Sequence, residues 1–221
     1  MTSFQENICS AMQPLANDSA AIAMRAYQRD QFEFLGVAAP ARRAATMPLI
    51  KQLKPASASV LITEAQGLWA LPQREYQYIA VDLLARHVRT LSGANIPALL
   101  DLALQKSWWE TVDALVKVIG SIVRADKAQQ SQMDAALHHP DFWIRRIAML
   151  HQLGWKDETD VIRLQTYARQ LAPETEFFIR KAIGWALREY AWHNPAAIRV
   201  FLAEMGGQLS PLSRKEAAKH L

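Results

Sequence analysis

Hydrophobic positions recur at helical spacing along most of this chain. Ile79, Leu83 and Leu84 fall on one face of a 3.6-residue helix, and Leu99 and Leu102 repeat that spacing. Strand-like alternation of β-branched residues is nearly absent, and glycine occurs only 8 times in 221 residues. Prolines stand where helices should begin or end, at Pro40, Pro48, Pro72, Pro97, Pro140, Pro173, Pro195 and Pro211. The pattern predicts an all-α fold.

An internal period runs through the predicted helices. Aromatic or apolar residues that should each open a similar helix follow one another at intervals of 32, 34, 35 and 35 residues, at Tyr76, Trp108, Phe142, Phe177 and Leu212. Pro40 is a candidate start for an earlier unit of the same kind. Periods of this length are typical of stacked helix pairs. Tetratricopeptide and ankyrin signatures are missing, so we predict a HEAT-like helical-repeat solenoid with a concave groove.

We expect residues 21–221 to form one repeat domain, preceded by residues 1–20 as a capping helix or a frayed arm. The composition is that of a folded domain, with 51% hydrophobic and 21% charged residues. A formal charge of +4 is compatible with a polyanionic partner but does not by itself indicate one. Cys9 is the only cysteine, which excludes an internal disulfide. Without a signal-peptide pattern or an apolar run of about 20 residues, we expect a cytoplasmic, or in a bacterium nucleoid-associated, protein.

The chemistry-bearing residues lie at the repeat positions. Trp109 and Asp113 are four residues apart and should share one helix face, beside Trp108. Arg145 and Arg146 follow the next aromatic pair, and either could contact phosphate or coat a solvated surface. From spacing alone, packing in the core explains Trp109 as well as a place in the groove does. For Asp113, a solvated surface position is a better explanation than a catalytic role. Common nucleotide-binding, zinc-protease and hydrolase motifs are absent.

Gly184 stands out in the predicted helix at 177–190, because glycine is costly inside a helix. It precedes Trp185 and could permit close helix packing or close approach of a ligand. Trp185 itself is as easily explained as a core residue. Glu189 and Tyr190 have no functional interpretation from sequence.

At these residues the chain resembles the AlkD-type family of DNA alkylation-repair glycosylases. Two segments carry most of the resemblance: K-S-W-W-E-T-V-D at 106–113, and F-F-I-R-K-A-I-G-W-A-L-R-E-Y at 177–190. Further matching segments occur at 32–37 with Pro40 and Arg42-Arg43, at 68–75, at 143–146 and at 209–217. Where family members often have polar residues ahead of the proline, this chain has Ala38 and Ala39.

The resemblance implies a base-excision DNA glycosylase that releases positively charged N-alkylated purines, such as 3-methyladenine and 7-methylguanine, from duplex DNA without flipping the base. It makes Asp113 the catalytic carboxylate, with Trp109 and Trp185 lining the cleft beside the sugar. DNA contacts would come from Tyr27, Arg43, Arg146, Phe178 and Arg188, with Arg146 on a phosphate. The implied partner is double-stranded DNA containing alkylated bases, with no membrane, metal or organic cofactor, and we expect a monomer.

An alternative is a non-catalytic HEAT-like scaffold that binds DNA or protein through the same groove. The joint presence of Trp109, Asp113, Arg146 and Trp185 favours the enzyme, because a scaffold has no reason to keep these four together.

Overall fold

The computed structural model describes residues 1–221 and contains thirteen α-helices joined by loops and short 3₁₀ turns. The helices are α1 (Ser3–Met12), α2 (Asp18–Tyr27), α3 (Ala39–Gln52), α4 (Ala58–Ala70), α5 (Arg74–Arg86), α6 (Ile96–Leu104), α7 (Trp109–Ala125), α8 (Gln130–Ala136), α9 (Phe142–Leu150), α10 (Val161–Leu171), α11 (Phe177–Ala191), α12 (Pro195–Met205) and α13 (Pro211–Ala217). The only β-type pairing is an isolated bridge between Glu33 and Gln73. The predicted all-α helical-repeat fold is confirmed.

The repeat positions found in the sequence coincide with helix starts at Phe142 and Phe177, and lie within two residues of a helix start at Tyr76, Trp108 and Leu212. Helices α7, α9 and α11 begin at Trp109, Phe142 and Phe177, and α13 begins one residue before Leu212. Acidic or hydroxyl side chains just upstream accept hydrogen bonds from free backbone N–H groups of three of these helices. Asp141 accepts from Trp143 at 2.7 Å, Glu176 from Phe178 at 3.2 Å, and Ser210 from Ser213 at 3.0 Å. Local sequence therefore fixes where each of these helices begins.

The chain divides into two compact units, Met1–Ala98 and Leu99–Leu221. In the first unit, α4 packs on α5, and α1 packs on α3 and α4. Its core is apolar and fully buried, and includes Ile8, Met12, Ile50, Leu61, Leu68, Trp69, Ile79 and Leu83. The Glu75 carboxylate is buried and accepts hydrogen bonds from the backbone N–H groups of Leu35, Gly36 and Val37. Glu75 thereby fixes the loop that leads into α3.

In the second unit, α11 is the central helix and packs on α9, α10, α12 and α13. Its buried face includes Ile179, Ala182, Ile183, Ala186 and Leu187. The candidate site residues of this unit lie on α11 and on the helices before it. None of the thirteen helices has the length and apolar character that a membrane crossing requires.

Gly184 allows α11 and α13 to approach closely. A Cβ atom at this position would lie 2.5 Å from Glu216 Cβ and 2.9 Å from the carbonyl oxygen of Ser213. Of the two explanations open from sequence, close helix packing is therefore the one the structure supports.

Gly184→Ala is expected to lower the free energy of unfolding by about 1–3 kcal/mol, because the added methyl group overpacks the α11–α13 contact. Urea unfolding measures this loss. Gly207→Ala is the matched control, since a Cβ atom added there would meet no other atom within 4 Å, and we expect it to change stability little. Equal stability of the two variants would contradict this account of Gly184.

His151 is a buried histidine that should make stability depend on pH. Its side chain is 1% exposed and Nδ1 lies 2.6 Å from the carbonyl oxygen of Ala148. Burial is the main cause that lowers the pKa of His151 to about 4, and the nearby Arg163 and Lys127 charges act in the same direction. The folded protein therefore holds this imidazole neutral at neutral pH.

Between pH 6.5 and pH 4 the unfolded chain binds a proton at His151 that the folded chain does not. Stability must therefore fall as the pH drops through this window. From about pH 7 to pH 5 we expect a loss of about 2 kcal/mol from this group. Urea unfolding at both pH values measures the loss, and His151→Gln should reduce it. An unchanged pH dependence in that variant would show that other groups cause it.

Candidate functional site

An ion pair between α7 and α9 lies at the centre of the candidate site. Arg146 donates from Nε to Asp113 Oδ1 at 2.8 Å and from Nη2 to Asp113 Oδ2 at 2.8 Å. The arginine side chain is 5% exposed and the aspartate side chain 16% exposed. This bidentate geometry is the strong, orientation-specific form of an Arg–carboxylate contact. It fixes the direction of the Asp113 carboxylate while leaving part of it open to solvent.

Helix α11 completes the binding of Arg146. Arg146 Nη1 donates to the backbone carbonyl of Phe178 at 2.5 Å, and the Arg146 guanidinium carbon lies 5.8 Å from the centre of the Phe178 ring. Helices α7, α9 and α11 therefore meet at one side chain. The phosphate contact expected for Arg146 stays a prediction, but the structure adds a positioning role, because this arginine holds Asp113.

An aromatic cluster supports this arrangement. The Phe178 ring centre lies 4.7 Å from that of Trp143, 5.6 Å from that of Trp108 and 6.3 Å from that of Phe142. Aromatic contacts of this kind each contribute about 0.5–1.5 kcal/mol beyond simple burial. The cluster holds rigid the part of α11 whose carbonyl accepts from Arg146.

The two adjacent tryptophans differ in backbone conformation. Trp108 has extended φ and ψ angles at the N-cap of α7, whereas Trp109 is the first helical residue. Trp108 joins the aromatic cluster, while Trp109 lies one helical turn from Asp113 on the same face. The prediction that Trp108 opens this helix is one residue early, because Trp108 is the N-cap and lies in extended backbone.

From spacing alone Arg145 and Arg146 are equivalent, and the structure separates them. Arg145 forms a bidentate pair with Glu174, at 2.6 and 2.8 Å, and donates to the backbone carbonyls of His139 and Pro140. It therefore fixes the loop ahead of α9. Arg146 is the member of the pair that reaches the candidate catalytic carboxylate.

One face of α11 carries the remaining candidates in this unit. Phe178, Trp185 and Arg188 recur at helical spacing on this face, and Lys181, which sequence reasoning did not select, lies on it as well. Lys181 Nζ donates to Glu216 Oε2 at 2.7 Å, and Arg188 Nη1 pairs with Glu216 Oε1. Glu216, on α13, was also not selected. The missed signal was the 35-residue separation of Lys181 and Glu216, which is one repeat.

The other two predicted DNA contacts belong to the first unit. Tyr27, the last residue of α2, is 71% exposed. Arg43, on α3, is also exposed and pairs with Asp82 at 3.3 Å. Their expected contacts with DNA stay predictions.

The chain belongs to the family described as DNA alkylation repair enzyme, whose sequence profile matches residues 8–221. It is similar to a solved structure described as a predicted DNA alkylation repair enzyme from Enterococcus faecalis, at 34% identity over 93% of this chain and 96% of that one, with a TM-score of 0.88. The resemblance inferred from sequence is thus confirmed, and membership supports a role in alkylation repair with DNA as partner.

A second solved structure, smu.31 from Streptococcus mutans UA159, is 16% identical over 78% of this chain and 89% of that chain, with a TM-score of 0.64. At this identity the likeness shows the fold alone. No curated protein matches the chain in sequence.

Proposed function

We propose that this protein is a DNA glycosylase that hydrolyses the N-glycosidic bond of positively charged alkylated purines in duplex DNA, with Asp113 as its catalytic carboxylate. Family membership supports alkylation repair as the general role. The observation that carries the finer proposal is the fixed Asp113–Arg146 pair on the helix face that also bears Trp109.

The chemistry requires little more than a well-placed anion. Alkylation at N3 or N7 gives the purine a positive charge, so the base departs neutral when the C1′–N bond electrons return to it. No general acid is needed. The deoxyribose that remains resembles an oxocarbenium ion until water adds to C1′ and loses a proton. Asp113 stabilises this cation or orients the water, and its fixed direction avoids reorganisation during the reaction.

Arg146 gives Asp113 that fixed direction. Two of its nitrogens bind the carboxylate and the third binds the carbonyl of Phe178. A guanidinium has five N–H groups, so two remain for another acceptor, such as the phosphate next to the lesion. Positioning of Asp113 and contact with a phosphate are therefore compatible roles.

The tryptophans contribute through their electron-rich faces. Trp109 lies one turn from Asp113 on α7, and Trp185 lies seven residues beyond Phe178 on α11. A tryptophan face against a positive charge contributes about 0.5–2 kcal/mol where water is excluded. This contribution grows as charge develops on the sugar, which is the condition for catalysis. Because the charge and not the base edge is recognised, the mechanism does not require extrusion of the base.

A duplex with a single 7-methylguanine tests the proposal. Incubation with the protein should release the free base and leave an abasic site that alkali cleaves. The unmodified duplex of the same sequence is the control. Tight binding without base release would favour the non-catalytic scaffold.

A further inference from the structure

A buried carboxylate holds two cations together beside Trp185. Glu216 is only 9% exposed, and both of its oxygens are paired, one with Lys181 and the other with Arg188. Its Cβ lies over Gly184, the residue before Trp185, and the missing side chain of that glycine makes room for it. A carboxylate withdrawn from water is stable only with partners of this kind. Two positive charges against one negative charge leave the cluster with an excess of one positive charge.

The two cations remain accessible to a second anion. The Lys181 side chain is 41% exposed and the Arg188 side chain 23% exposed. An ammonium has three N–H donors and a guanidinium five, so each retains donors after pairing with Glu216. The cluster is therefore a pre-assembled pair of donors for one oxyanion.

The position of the cluster identifies the oxyanion. Along α11, Lys181 lies about 4.5 Å beyond Phe178, where Arg146 is bound, and about 6 Å before Trp185; Arg188 follows Trp185 by about 4.5 Å. All four α11 residues share one helix face. An anion bound by Lys181 and Arg188 therefore lies beside Trp185, in line with the Asp113–Arg146 pair.

We propose that Lys181 and Arg188, held by Glu216, bind one backbone phosphate of the DNA next to Trp185. This rests on the proposed function and extends it to two residues that neither the sequence nor family membership assigned, Lys181 as a phosphate contact and Glu216 as a positioning residue. Glu216 prevents the two cations from turning to solvent and thereby fixes the phosphate relative to Trp185.

The salt dependence of binding to an unmodified duplex tests the phosphate contact. Lys181→Gln should make the slope of log K against log salt shallower by about 0.9, the value of one phosphate. Between about 50 and 200 mM salt the wild-type protein should therefore lose about 3.5-fold more affinity than this variant. Lys181→Arg keeps the charge and should retain the wild-type slope.

Arg169→Gln is the matched control. Arg169 pairs with Glu204 across the same 35-residue separation, at 2.6 Å and with a similarly exposed side chain, but on α10 and α12. We expect its slope to equal that of the wild-type protein. A Lys181→Gln slope equal to the wild-type slope, or an equal shift in both glutamine variants, would overturn the phosphate assignment.

Glu216→Gln tests positioning. Both cations remain and the cluster loses its negative charge, so the salt slope should be no shallower than in the wild-type protein. Single-turnover base release should nevertheless slow by about tenfold because the phosphate is no longer fixed. An unchanged rate would remove Glu216 from the proposal. The salt slope is measured on an unmodified duplex, from which no base is released. The phosphate site and the glycosylase activity are therefore tested separately. Asp113-dependent release with an unaltered Lys181→Gln slope defeats only the phosphate site, and an altered slope without any release defeats only the glycosylase.

Discussion

Asp113→Asn is expected to slow single-turnover release of 7-methylguanine by about 100- to 1,000-fold while the protein still binds the duplex. Asparagine keeps the shape of the side chain but removes the negative charge that faces the oxocarbenium-like sugar. Losses of this size are typical when one preorganised electrostatic group is removed from an active site. The measurement uses excess protein, so that the rate reports the chemical step.

The same substitution should also reduce stability. Arg146 is almost fully buried and would face an amide in place of a carboxylate, with one N–H group opposing another. Breaking a well-formed, partly buried pair in this way costs about 1–3 kcal/mol. Thermal unfolding must therefore accompany the kinetics, and the rates must be compared at a temperature where both proteins are folded.

Asp134→Asn is a suitable control for that effect. Asp134 accepts a bidentate pair from Arg163, at 3.0 and 3.1 Å, and a hydrogen bond from Tyr167 at 2.6 Å. The variant thus loses a bidentate pair of the same geometry, although a more exposed one, on α8 and α10, which carry none of the candidate site residues. We expect near wild-type release from this variant. Release by Asp113→Asn at the rate of Asp134→Asn would remove Asp113 from catalysis.

The second large effect concerns the choice of lesion. In one duplex context, release of 3-methyladenine and 7-methylguanine should exceed release of uracil or hypoxanthine by more than about 1,000-fold. The neutral lesions need a proton donor to depart, and the mechanism supplies none. A barrier difference of about 4 kcal/mol is enough for this ratio. Bulky cationic adducts should also be released, since the charge and not the base edge is recognised.

A panel of these lesions, each placed once in the same duplex, measures the ratio. Undamaged guanine in the same position serves as the blank. Efficient removal of uracil or hypoxanthine would mean that the site contacts base edges or supplies an acid, and would contradict the mechanism.

The sequence predicted the helices well because their signals are local. Prolines, polar caps and recurring aromatic positions mark the starts of α9, α11 and α13, and the structure places the helices there. The start of α7 differs by one residue from the expected position, which is the usual precision of such boundaries. Because of this one-residue difference, Trp108 lies in extended backbone ahead of the helix and not within it.

The pairing of charges was not predicted, because it depends on the register between neighbouring repeats. Asp113 and Arg146 are 33 residues apart, and Lys181 and Glu216 are 35 apart. Opposite charges separated by one period on corresponding helices were therefore the available signal. Without the register, Arg146 was interpreted as a phosphate contact alone, and Lys181 and Glu216 were not selected.

The most direct test of the central claim identifies the products of the reaction by mass. A duplex with a single 7-methylguanine is incubated with the wild-type protein, and the small-molecule and DNA fractions are analysed separately. We predict free 7-methylguanine in the first fraction and a strand with one abasic site in the second, in equal amounts. A strand in which guanine has been restored, or one that keeps its 7-methylguanine, would contradict the proposal that the protein is a glycosylase.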